Sequence, residues 1–113
     1  MRFLLASQPQ AADPDPAVKL ETSMGDIVVR LDSRKAPIST ANFVQYVKSG
    51  FYDGTVFHRV IKSFMIQGGG FTPDLKQKET RAAIRNEADN GLKNKKYTIA
   101  MARTGEPHSA TAQ

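Results

Sequence analysis

Residues 57–67 read Phe-His-Arg-Val-Ile-Lys-Ser-Phe-Met-Ile-Gln, and this stretch decides the fold. β-branched and aromatic residues dominate on both sides of its central Lys-Ser pair, a composition typical of two short strands joined by a tight turn. We therefore predict one strand over residues 55–61 and a second over residues 64–67. Arg59 interrupts the first apolar run, so this arginine is either a charge on the outside of the sheet or a donor placed for a function.

Two side chains of the second strand share one face. Met65 and Gln67 are two residues apart, and alternate residues of a strand project to the same side. An amide beside a thioether could contact an apolar ligand that carries a carbonyl group. It could equally be packing at the rim of the sheet, and the spacing leaves both readings open.

The preceding segment predicts a hairpin and a helix. Residues 18–21 and 27–31 alternate apolar and polar side chains on either side of a turn that contains Gly25. Pro37 suits the first turn of a helix and Gly50 suits its end. The helix carries an apolar stripe, which we expect to face the core: Ile38, Phe43, Val44 and Val47.

The following segment is less regular. Residues 68–95 contain few apolar side chains and predict a long loop, with one short strand around residues 83–84. Residues 97–102 return to a strand pattern, and residues 104–113 are polar and loop-like. The order of elements predicts a mainly β domain with one clear helix, either a barrel or a sandwich with a helical cap.

The first residues differ in composition from the rest. We expect residues 1–17 to be a disordered leader or the remnant of a signal peptide, and residues 18–113 to form the domain. The apolar stretch after Arg2 is shorter than the roughly 7–15 residues of a secretory signal. A clipped signal peptide would place the protein in the periplasm, and its absence would place it in the cytoplasm.

Several functions are disfavoured by composition. The chain has no cysteine, which excludes disulfides and thiolate chemistry, and neither His58 nor His108 has a partner at metal-ligand spacing. Three glycines at residues 68–70 lack the Lys-Ser/Thr of a phosphate loop. The net charge of +5 comes from cations mixed with acids, so we expect no nucleic-acid partner. No apolar run approaches the roughly 18 residues of a membrane span.

The decisive stretch resembles the signature of the cyclophilin family, in which Phe-His-Arg-x-Ile leads through Phe-Met-x-Gln-Gly-Gly. Further matches extend the resemblance over residues 18–113, and two of them look like the bacterial branch. These matches lie at residues 42–44, 49–52, 86–92, 98–103 and 109–113.

The resemblance implies a cyclophilin-like eight-stranded antiparallel β-barrel with capping helices, and a peptidyl-prolyl cis-trans isomerase that assists protein folding without a cofactor or metal. It gives Arg59 the catalytic position, and His58 a supporting one. The positions that contact the peptide are Phe64, Met65, Gln67, Ala102, Arg103 and Gln113. The implied partners are proline-containing peptides and unfolded proteins, with weak binding of cyclosporin-like ligands, and the implied state is a monomer.

Two departures from the family pattern qualify these expectations. Lys62 and Ser63 stand where the family commonly has Pro-Gly, which should loosen the turn before Phe64. The family's last strands and helix have no counterpart up to Gln113, so we expect an incomplete barrel of low stability and little activity. The alternatives to an isomerase are a non-catalytic proline-peptide-binding or chaperone module and an inactive fragment.

Overall fold

Two antiparallel sheets and one helix make up the regular structure of the computed structural model, which describes residues 1–5 and 15–113. The elements are, in chain order, β1 (Arg2–Leu5), β2 (Ala17–Thr22), β3 (Gly25–Arg30), α1 (Pro37–Lys48), β4 (Val56–Ile61) and β5 (Met65–Phe71). One sheet has the order β1-β2-β3, and the other pairs β4 with β5. The described residues are therefore mainly β with one helix, as predicted, and their five strands do not close a barrel.

The predicted hairpin of β2 and β3 is confirmed. Val18 lies opposite Val29 and Leu20 lies opposite Ile27, with Gly25 at a φ of 119° where the chain turns back. Val18 and Leu20 are buried, because alternate side chains of β2 face the helix and the aromatic core.

The helix begins and ends as predicted, with Pro37 in its first turn and Gly50, at a φ of 73°, just past its end. Phe43 and Val47 are buried in the core and Val44 packs against it. No helix in the described ranges is long and apolar enough to cross a bilayer.

One member of the predicted stripe is wrong. Ile38 is 39% exposed, whereas Tyr46, which the predicted stripe did not include, is buried in the core with 2% exposure. The first turn of α1 faces a loop instead, since the Glu87 carboxylate accepts hydrogen bonds from the backbone N–H groups of Ile38 (3.1 Å) and Ser39 (2.7 Å). Ala36 offers no side-chain cap at this end, so Glu87 satisfies amides that would otherwise lack a partner.

An aromatic cluster forms the centre of the core. The Tyr52 ring is 1% exposed and stacks on Phe3 at 4.3 Å between centroids, while Phe43 lies 5.3 Å from Tyr52. Phe51 and Tyr46 extend the cluster at 5.4 and 6.0 Å from Tyr52. Such ring contacts add to the stability that burial gives.

The expected disordered leader is wrong for residues 2–5. These residues form β1, paired with β2 in an antiparallel register that sets Phe3 opposite Leu20. The physical reason is that the edge of β2 offers unpaired backbone groups and a buried position for an aromatic ring. The rest of the proposed leader, residues 6–14, lies outside the described residues.

The two strands predicted downstream are also wrong. Ile84 donates one hydrogen bond to the Ala110 carbonyl (2.9 Å), and no ladder continues from it among the described residues. Over residues 97–102 the backbone turns at Tyr97, which has a φ of 67°, and the Thr98 N–H bonds back to the Lys95 carbonyl. A left-handed residue and a local turn bond interrupt the extended conformation that a strand requires.

Candidate functional site

The hairpin of β4 and β5 carries the candidate site, and a tight turn joins its strands. The Phe64 N–H donates to the Ile61 carbonyl over 3.1 Å, and Ser63 adopts a φ of 63° between them. That conformation is unfavourable for a residue with a Cβ atom and natural for glycine. The turn is therefore closed despite the Lys-Ser pair, with strain at Ser63.

A β-bulge at His58 sets the direction of Arg59. Phe57 pairs with Gly68 and Arg59 pairs with Gln67, so two steps along β4 correspond to one step along β5. Simple alternation would put Phe57 and Arg59 on the same face of the sheet. The extra residue separates them, leaving Arg59 beside Gln67, and this is how bulges re-aim side chains near binding sites.

A chain of hydrogen bonds leads away from Arg59. Its Nη1 atom donates to Gln67 Oε1 at 3.4 Å, and Gln67 Nε2 donates to Gln113 Oε1 at 2.7 Å. The Gln113 carbonyl in turn accepts from the Ala102 N–H at 3.0 Å. The structure thus brings together four residues named from the sequence, although they come from three separate segments.

The apolar candidates lie at the turn end of the hairpin. Met65 is half-buried and lies opposite Ile61. Phe64, at the turn itself, is 76% exposed, so its ring is available to a ligand but is not fixed by packing. Arg103 is exposed, and its guanidinium donates to the Thr104 carbonyl at 2.9 Å. The preceding residue, Ala102, is the one that bonds to Gln113 through its backbone.

His58 packs against the other strand of the hairpin. Its ring lies 4.3 Å from the Phe71 ring, and its buried Nδ1 atom has no hydrogen-bond partner within the described ranges. A buried polar atom without a partner costs stability. His58 is the extra residue of the bulge, so its position is tied to the direction of Arg59.

The three glycines of β5 permit close packing. A Cβ atom on Gly68 would lie 2.7 Å from Phe57 Cδ1, and one on Gly69, at a φ of 94°, would lie 2.8 Å from Tyr52 Cε1. A Cβ atom on Gly70 would meet the Gln113 side chain. The prediction that these glycines serve backbone packing rather than phosphate binding is consistent with these contacts.

Two positioning residues were missed from the sequence. The Asn42 amide donates to the Thr111 carbonyl and the Tyr52 hydroxyl donates to the Ala112 carbonyl, each at 2.6 Å. Burial, together with the nearby Tyr46, raises the pKa of Tyr52, so the hydroxyl stays a neutral donor. These two bonds hold residues 111–112, next to Gln113. The only signals in the sequence were an asparagine on the predicted helix and a tyrosine in the turn that follows it.

A cleft of about 630 Å³ lies next to this site. Its apolar lining includes Phe43, Phe57, Ile66 and Met101, and its polar lining includes Gln67 and Gln113. Arg59, Phe64 and Met65 do not line it. Gln67 and Gln113 therefore face the cleft, and Arg59 lies next to it through its bond to Gln67.

Comparison with known proteins shows the family of this chain. A family model described as cyclophilin type peptidyl-prolyl cis-trans isomerase/CLD matches residues 17–113. The chain therefore belongs to the cyclophilin family. It is 66% identical over 96 residues to the peptidyl-prolyl cis-trans isomerase cyp18 of Streptomyces antibioticus, an alignment that covers 85% of this chain and 58% of that protein.

Two further bacterial relatives are similar over the same part of the chain. Peptidyl-prolyl cis-trans isomerase A of Dickeya dadantii is 59% identical over 103 residues, covering 91% of this chain and 54% of that protein. Peptidyl-prolyl cis-trans isomerase B of Escherichia coli is 58% identical over 96 residues, covering 85% of this chain and 58% of that protein. The chain thus spans little more than half the length of the curated relatives it matches.

Proposed function

We propose that this protein catalyses the cis-trans isomerisation of Xaa-Pro peptide bonds, with Arg59 as its catalytic residue. The observation that carries the proposal is the pairing of Arg59 with Gln67 on an exposed sheet face, Nη1 to Oε1 at 3.4 Å. The long distance indicates a weak bond, so the guanidinium keeps most of its donors for a ligand. Membership of the cyclophilin family supports the same reaction.

The chemistry requires a donor rather than a nucleophile. Rotation about an amide costs about 18–20 kcal/mol because the C–N bond has partial double-bond character. In the twisted transition state the proline nitrogen regains a lone pair, and a hydrogen bond from Arg59 to that nitrogen favours the twisted form over the planar one. Interactions that are stronger in the transition state than in the ground state are the ones that accelerate a reaction.

Gln67 supplies the second polar contact of this proposal. Its amide NH₂ group has two hydrogens, and one of them is used in the bond to Gln113. The other hydrogen can donate to the carbonyl oxygen that precedes proline. With that oxygen held, rotation of the rest of the peptide is confined to the C–N bond.

The apolar contacts of the proposal come from the turn. The exposed Phe64 ring and the half-buried Met65 thioether would cover the proline ring, while Ala102, Arg103 and Gln113 would line the extended peptide, the first two through their backbones. We include weak binding of cyclosporin-like ligands to the same apolar contacts, unfolded proteins as clients, and a monomeric state in the proposal. Inhibition of turnover by a cyclosporin-like ligand tests the ligand binding, and sedimentation velocity tests the monomeric state.

The experiment compares Arg59→Ala with Arg34→Ala, an exposed arginine ahead of α1. Loss of one transition-state donor should lower kcat/KM for a prolyl peptide roughly 10²–10³-fold. Peptide affinity, measured by fluorescence anisotropy, should change little, and Arg34→Ala should match the unchanged protein. Equal rates in both variants would instead identify a proline-peptide-binding module without catalysis, and absence of binding and turnover in the unchanged protein would reject the proposal.

A further inference from the structure

β1 lies outside the residues that the family model matches. The family model begins at residue 17, whereas β1 spans Arg2–Leu5 and pairs with the outer edge of β2 over four residue pairs. Without β1, the backbone groups along that edge of β2 would lack the partners that β1 supplies. An unpaired edge of this kind is a template for another extended segment.

Phe3 anchors the strand in the core. Its ring is 6% exposed, stacks on Tyr52 at 4.3 Å with an interplanar angle of 22°, and meets the edge of Phe43 at 5.9 Å. The neighbouring Arg2 is exposed, as the alternation of a strand requires. The Met1 carbonyl accepts from the Gly54 N–H over 2.8 Å, which ties the start of the strand to the turn before β4.

The ring beneath Phe3 also holds the candidate site. Tyr52 stacks on Phe3 and donates its hydroxyl proton to the Ala112 carbonyl over 2.6 Å. The next residue, Gln113, bonds Gln67 through its side chain and Ala102 through its backbone. A shift of the Tyr52 ring would therefore move the residues that position Gln67.

We propose that the outer edge of β2 and the aromatic pocket formed by Phe43 and Tyr52 are a strand-acceptor groove, that residues 1–5 of the same chain are its occupant, and that occupation keeps Gln113 against Gln67. The groove recognises an extended segment by its backbone and selects an aromatic side chain at one position, which is the pattern of strand addition. This inference does not depend on the isomerase activity, because the contacts that carry it do not include Arg59.

The test uses the full chain with Phe3→Asp, which places a charge in the pocket, and Leu4→Asp as its matched control. Leu4 lies opposite Lys19 and points to the other face of the strand, so the same charge there meets a cation. The probe is a labelled synthetic peptide, Met-Arg-Phe-Leu-Leu-Ala-Ser, the sequence of residues 1–7. Anisotropy measures its binding, and NMR follows the Gln67 side-chain amide and the Gly54 N–H.

Phe3→Asp should empty the groove, so this variant should bind the peptide at least roughly tenfold more tightly than the unchanged chain, in which the tethered strand competes. The Gln67 and Gly54 signals should shift in Phe3→Asp, return when the peptide is added, and stay in place in Leu4→Asp. A peptide with Asp in place of Phe should not bind. The proposal is overturned if the two variants bind the peptide equally or if the Gln67 signal is the same in both.

A milder variant covers the case in which Phe3→Asp does not fold. Phe3→Leu keeps an apolar side chain but loses the ring stack, and amide exchange at Gly54 should then be at least roughly tenfold faster than in the unchanged chain. Exchange as slow as in Leu4→Asp would overturn the proposal. A concentration-dependent dimer of the unchanged chain with protected Gly54 would also overturn it, because a second copy and not the same chain would then be the occupant.

Discussion

The side-chain amide of Gln67 donates a 2.7 Å hydrogen bond to the side-chain carbonyl of Gln113, 46 residues further along the chain. The bond joins β5 to a segment that Asn42 and Tyr52 hold by its carbonyl groups. Gln67 also accepts a weaker bond from Arg59 at 3.4 Å, so the short bond to Gln113 contributes most to the direction of its amide. The polar half of the candidate site depends on this one long-range contact.

The first prediction concerns that contact. Gln67→Ala, Gln113→Ala and the double variant form a double-mutant cycle in which the two side chains should be coupled. We expect a coupling energy of about 0.5–3 kcal/mol in the binding of a prolyl peptide, because the contact positions the Gln67 amide for the ligand. Isothermal titration of the four proteins measures it, and strictly additive losses would show that Gln113 does not position Gln67.

The second prediction concerns the strained turn. Ser63 has a φ of 63°, so Ser63→Gly should raise the free energy of unfolding by about 1 kcal/mol, since glycine adopts this conformation without steric cost. Ser49→Gly is the control, because Ser49 has an ordinary φ of −82° and glycine there should lower stability. Urea unfolding compares the two. Destabilisation by both changes would mean that Ser63 carries no strain.

The third prediction concerns the pH dependence of the helix cap. Partial burial alone would raise the pKa of Glu87, but the N–H groups of Ser39 and Ile38 and the charge of Arg85 outweigh it, so the pKa is lowered. A carboxyl group whose pKa is lower in the folded state stabilises the protein above its unfolded pKa of about 4.3. That stabilisation disappears as the pH falls through the lower, folded value.

Glu87→Gln should therefore lower the free energy of unfolding at pH 7 by about 0.5–2 kcal/mol, the usual value of a helix cap. At pH 3 the difference from the unchanged protein should be smaller, because the stabilisation by the ionised carboxyl group starts to fall once the pH is below the unfolded pKa of about 4.3. Urea titrations at the two pH values measure it, with Glu79→Gln, an exposed residue of the same long loop, as control. A difference that grows on acidification would contradict the prediction.

The fourth prediction concerns the glycines of β5. Gly69→Ala should destabilise the fold by about 2 kcal/mol or more, because it combines a φ of 94° with a Cβ atom 2.8 Å from the buried Tyr52 ring. Gly105→Ala is the matched control, since no atom lies within 4 Å of its new Cβ. Thermal unfolding of both variants measures the effect, and equal melting temperatures would reject it.

Local patterns in the sequence predicted the parts of the fold that depend on neighbouring residues. Alternation and a glycine predicted the β2–β3 hairpin, proline and glycine predicted the ends of α1, and β-branched residues predicted β4. The prediction of a strand over residues 97–102 was wrong, because an extended pattern forms a strand only where a neighbouring strand supplies hydrogen bonds. The prediction that Ile38 faces the core was wrong because Glu87, distant in sequence, contacts the first turn of the helix.

The sequence by itself determined the family and the candidate residues, because the order of side chains around Arg59 needs no knowledge of distant contacts. The tertiary structure decided how those residues meet. The bulge at His58 turns Arg59 toward Gln67, Tyr52 holds the segment of Gln113, and Phe3 fills the core from a segment expected to be a disordered leader. The bulge depends on the register between two neighbouring strands. The other two contacts depend on packing between segments far apart in the chain, where the burial of apolar surface and the need to pair every buried polar group select the partner.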